Sequence, residues 1–108
     1  MQIPKLLAQA APAASTLTLL YKVPGCARTN INSLLVCNRA AVATTFRVAI
    51  APLGAADAVA HYIYYDCALA ANATLAAALD LKLTEKDELR VYTPSANVSC
   101  SVFGTEAF

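Results

Sequence analysis

The chain has 108 residues, the size of one domain, and no shift in composition divides it. With 14% charged residues and a net charge of +1 it has no basic face able to neutralise a run of phosphates, which excludes a nucleic-acid-binding surface. The 58% apolar fraction leans on alanine, which buries little area, so the core is expected to be modest and the charge-poor surface to meet other chains.

"MQIPKLLAQAAPAA", residues 1–14, carries Pro4 and Pro12 and no sustained period of two or of 3.6. It reads as an N-terminal arm ahead of a single domain over 15–108, disordered alone or ordered by packing on a neighbour through Ile3, Leu6 and Leu7. From residue 15 the period is two, and turn residues recur about every ten positions, the pattern of an antiparallel sandwich or barrel. "STLTLLYK" sets Leu17, Leu19 and Tyr21 against Thr16 and Thr18 and stops at Pro24-Gly25. "RTNINSLLVCN" places Ile31, Leu35 and Cys37 on one face and Asn30, Asn32 and Asn38 on the other. "TTFRVAIA" sends Phe46, Val48 and Ile50 inward, and Pro52 with Gly54 ends the run.

"HYIYYD" is rich in β-formers and reads as a strand that sets Tyr62 and Tyr64 opposite His61, Ile63 and Tyr65. "ATLAAALDLKL" suits a helix as well as a strand by its alanine and leucine, but Asn72 before it and strands on either side make it extended. "ELRVYT" turns Leu89 and Val91 inward, and "NVSCSVFG" alternates again after a turn at Pro94-Ser95. The expected fold is all-β: an antiparallel β-sandwich, jelly-roll-like, with seven to eight strands and an extended N-terminal arm. The most apolar stretch is broken by Gln9, Pro12 and Ser15, so no membrane span is expected, and Leu6, Leu7 and Ala8 are too few for a secretory signal core.

Residues that carry chemistry are sparse. The single histidine, His61, sits among tyrosines, and no G-x-S-x-G elbow occurs. Glu85, Asp87 and Glu88 in "TEKDE" read as a solvated turn before a strand, not as paired catalytic carboxylates. Cys26, Cys37, Cys67 and Cys100 form no C-x-x-C pair and have no histidine at ligand spacing, which argues against zinc. No catalytic, metal or cofactor-binding residue is expected. All four cysteines are disulfide candidates, and their connectivity stays open. Cys26 and Cys67 fall at the expected rim, within reach of another chain. Cys37 and Cys100, in phase with Leu35 and Val98, read as small apolar core residues.

The segments "LLAQAAPAASTLTLLYKVP", "VCNRAAVATTFRVAIAP", "HYIYYDCALAANATLAAAL" and "ELRVYTPSANVSCSVFGTE" together resemble a family of small β-sandwich virion proteins of tailed bacteriophages. The resemblance spans nearly the whole chain and is most specific at "VCNR", at "YYD" followed by "LAAN", and at "RVY" leading to a terminal "FG.E". It implies a non-enzymatic structural protein on the head, neck or tail of the particle, oligomeric and often trimeric, with other virion proteins as partners. Cys26, Cys67 and Cys100 depart from the family pattern, and a particle in an oxidising medium makes disulfide reinforcement an expectation. The alternative is a tail-borne receptor- or carbohydrate-binding module, with sugars stacking on Tyr62, Tyr64, Tyr65 and Tyr92.

Overall fold

In the computed structural model, which describes residues 2–107, the two-residue alternation closes into eight strands. These are β1 (Gln2–Ala10), β2 (Thr18–Lys22), β3 (Arg28–Asn38), β4 (Thr44–Ala51), β5 (Tyr62–Leu69), β6 (Thr74–Leu83), β7 (Glu88–Tyr92) and β8 (Val98–Ala107). Two four-stranded sheets result, in the orders β1-β8-β3-β6 and β2-β7-β4-β5. The pairs β1 with β8, β2 with β7, β3 with β6 and β4 with β5 are all antiparallel. That is the pairing of one long hairpin rolled up on itself, and the sandwich is therefore a jelly roll. Only the connection from β4 to β5 stays within one sheet; every other one crosses between the layers, so consecutive strands face each other over a shared core.

That core is lined by Ile31, Leu34, Val36, Phe46, Val48, Leu89, Val91, Val98 and Val102, all at 0–1% exposure. Each such side chain contributes roughly 1.5–3 kcal/mol by leaving water. β6 is a strand despite its helix-forming composition. β3 offers it a ladder from Thr29 to Cys37, and Leu75, Ala77, Leu79 and Leu81 pack inward from it. Tertiary pairing overrides the local preference.

Residues 2–10 are not a free arm. Gln2 to Ala10 align with Ala107 to Cys100 on β8, and Leu7, Ala8 and Ala10 pack against the core. The strand shows no clear period because a bulge between Leu6 and Ala8 shifts its phase. A bulge between Ile31 and Ser33 likewise reverses the phase of β3. Leu34, Val36 and Asn38 are buried there, while Leu35 and Cys37 turn outward, so Cys37 is not a core residue. In β4, Phe46 and Val48 are buried as expected, but the register against β5 shifts after Val48. Ala49 and Ala51 are buried beyond that point, and Ile50 is only half-buried. A shift between Leu19 and Tyr21 buries both Leu20 and Tyr21 and exposes Leu19.

Gly104 sits beside the bulge of β3. A Cβ there would overlap the carbonyl oxygen of Asn30 and come within 3.0 Å of Leu7 Cδ1. Glycine is what lets β1, β8 and β3 close up at this point.

Candidate functional site

The alternation of β8 carries Glu106 inward, in phase with Val98, Cys100 and Val102, and leaves its side chain 4% exposed. Lys5 Nζ on β1 lies 2.6 Å from its Oε1, and the Tyr21 hydroxyl on β2 donates to its Oε2 at 2.5 Å. The same hydroxyl shares a 2.9 Å bond with Thr29 Oγ1 on β3. Burial, reinforced by the bond to Glu106, pushes Tyr21 up to about 12. Burial alone would raise the Glu106 carboxyl, but the bonds from Lys5 and Tyr21 outweigh it and hold it below the usual carboxylate range. These side chains satisfy one another and tie the two sheets and β1 together, which is a structural use of charge. Asn38 does a similar service for the turns: its Nδ2 donates to the carbonyls of Val42 and Ala70 at 2.9 and 3.1 Å, and its Oδ1 accepts from Ala40 N at 3.0 Å.

The two outward faces differ in character. On the β1-β8-β3-β6 sheet the register sets Leu6, Phe103, Ser33 and Ala78 side by side, then Gln9, Ser101, Leu35 and Ala76, then Ser99, Cys37 and Thr74. Not one of these side chains is charged, and Leu6 and Phe103 stand 43% and 37% exposed. The opposite sheet is covered by charge. The Arg47 guanidinium lies 4.1 Å from the Tyr65 ring centroid and 4.7 Å from that of Tyr92, with Nε 2.6 Å from Asp66 Oδ1. The bond to Arg47 holds the Asp66 carboxyl below its ordinary value. Beside it, Arg90 pairs with Glu88 at 2.8 Å and with Asp57.

Of the residues singled out in the sequence, Ile3 and Leu6 are exposed on β1, whereas Leu7 packs inward. They do not form one patch, since Leu6 alone lies in line with Phe103. All four cysteines are free thiols. Cys100 is buried, and burial pushes its thiol up to about 11. Cys67 packs against the core from β5, Cys37 is half-buried on the uncharged face, and Cys26 is exposed in a turn at φ 65°. The tyrosines proposed as sugar platforms are already engaged. Tyr64 packs on Phe46 at 5.6 Å, Tyr62 meets Tyr65 edge-on at 5.1 Å, and Tyr65 and Tyr92 each turn a face to Arg47. His61 lies in a short 3-10 turn just before β5, not within a strand. A depression of about 380 Å³ at the ends of β3, β6 and β8 is lined by Arg28, Asn30, Lys82, Thr84 and Thr105, and Lys82 is bonded to Asp80.

Glu106 and the Arg47 stack are not among the residues singled out in the sequence. A charged residue in the inward phase of "VSCSVFGTE" was the available signal for the first. The second has no local signal, because Arg47, Tyr65 and Tyr92 meet only when β4 is flanked by β5 and β7. Comparison with protein-family models, curated proteins and solved structures finds no match to this chain.

Proposed function

We propose that this chain is a non-enzymatic structural component of a tailed-phage virion, a head decoration, neck or tail accessory protein, that works by contact with copies of itself and with other virion proteins. The observation that carries the reading is the uncharged stretch of the outer face of the β1-β8-β3-β6 sheet, where Leu6 and Phe103 are exposed side by side and charge is confined to one end of β6, at Asp80 and Lys82. A sheet face facing only water gains from charge, as the opposite face has it; one that meets another chain gains from small and apolar side chains, since charge is depleted at the centre of interfaces. The family resemblance of the sequence supports the virion as the setting.

The test is a Phe103→Arg exchange in the phage genome. An arginine at this exposed position leaves the fold intact by circular dichroism and strongly reduces the chain's presence in purified particles. Unchanged incorporation overturns the reading, as does absence of the wild-type chain from particles.

A further inference from the structure

We infer that the free edge of β6 is a self-association site, at which a second copy of this chain adds its own β6 antiparallel across a two-fold axis. The inference rests on the assembly reading above and names one edge through which copies meet.

The sandwich has four edge strands, β1, β6, β2 and β5. Exposed edges present unpaired N–H and C=O groups and are blunted by proline, charge, bulges or shortness. β1 carries Pro4, Lys5 and a bulge at Leu7; β2 has five residues and a bulge; β5 shifts register twice against β4 and holds Asp66 at φ 49°. β6 is the longest of the four. It runs for ten residues without proline or glycine, and although Leu79 and Asp80 together oppose Asn32 of β3, its exposure alternates without a break. Its inner row of Leu75, Ala77, Leu79 and Leu81 reaches the core yet stays half-buried, because no strand lies beyond it.

A second copy of β6 answers both needs. It supplies partners for open backbone groups at the Leu83 end of the strand and covers Leu79 and Leu81 of the inner row. The charges select its register. Asp80 and Lys82 lie on one face, 72% and 75% exposed, bonded to each other at 2.9 Å. A two-fold axis at Leu81 keeps like faces together, sets Leu79 against Leu83 of the other copy and Leu81 against itself, and places each Asp80 across from the other copy's Lys82. An axis at Asp80 opposes two carboxylates, one at Lys82 opposes two ammoniums, and one at Leu79 leaves both charges facing alanine. Opposite charges directly across an antiparallel pair are favourable and like charges are not. The strand is thus self-complementary in one register.

The test uses the full chain in solution, with Asp80→Lys and Lys82→Asp as exposed-site variants whose circular dichroism matches the wild type. Sedimentation over a concentration series gives twice the chain mass for the wild type. Each variant alone, carrying like charges across the axis, associates roughly tenfold more weakly. An equimolar mixture of the two recovers the dimer, because the lysine pair of one faces the aspartate pair of the other. A wild-type monomer at every concentration overturns the inference, and so does an oligomer of any size, a trimer included, that both variants leave unchanged. Either result with the chain still present in particles removes this edge and spares the virion role; a wild-type dimer absent from particles does the reverse.

Discussion

Glu106 is the residue whose surroundings make the sharpest demand on solution conditions. Its folded carboxyl lies below the unfolded value of about 4.3, so its contribution is complete above that pH and is lost as pH falls through the lower folded value. Tyr21 runs the other way: raised from about 10 to about 12, it stabilises fully below pH 10 and ceases to as pH climbs through 12. Tyr21→Phe removes a hydrogen bond to a charged partner, at roughly 1.5–3 kcal/mol near neutral pH. Thermal melts of both proteins across pH are expected to show the wild-type advantage shrinking at each extreme; a constant gap contradicts the bonded network. Gly104→Ala forces a methyl group onto the Asn30 carbonyl and is expected to lower stability by roughly 1–3 kcal/mol, read as a fall in denaturant midpoint. A midpoint equal to the wild type's contradicts the close approach of β8 and β3. Where interchain disulfides reinforce particles, they are expected to run through exposed Cys26. Thiol-sensitive multimers in non-reducing gels should vanish with Cys26→Ser and persist with Cys100→Ser, since Cys100 is buried with a raised thiol. The inward phase of Glu106 was legible in the alternation of β8. Its partners were not, because Lys5 and Tyr21 arrive from 101 and 85 positions away, and that difference is topological.

Strands were easier to read than their faces. Seven of the eight follow from alternation and turn residues, while the faces of β2, β3 and the end of β4 do not, because each has a register shift that no residue type announces. Cys37 is the clearest casualty: one extra residue at Asn32 moves it from the core to the outer face. β1 was hidden for the same reason, its bulge at Leu7 breaking a nine-residue strand into fragments too short to show a period. Its pairing changes what truncation does. Deleting residues 1–10 strips Lys5 from Glu106 and opens the whole of β8 as a new edge. The shortened chain is expected to melt well below the full-length protein and to aggregate, which light scattering during a thermal ramp would register. A shortened chain that melts with the parent and stays dispersed would return β1 to the status of a detachable arm.

Considered whole, the molecule is a jelly roll with two unlike exteriors: a charged, aromatic lattice around Arg47 and Arg90 on one sheet, and small, uncharged side chains around Phe103 on the other. Its charge-poor composition foretold spare apolar surface, and the register of β1 and β8 sets part of it, Leu6 and Phe103, side by side on one face, while Leu19, Ile63 and Tyr65 are exposed on the other sheet. The partly exposed Arg47–Asp66 pair opposite contributes little to stability. The most direct measurement is a density map of the purified phage particle resolving this chain in place. The face bearing Leu6, Leu35 and Phe103 is expected to be covered by a neighbouring protein and the face bearing Arg47 and Tyr92 to lie in solvent. A map with the uncharged face bare and the arginine-rich face in contact would contradict it.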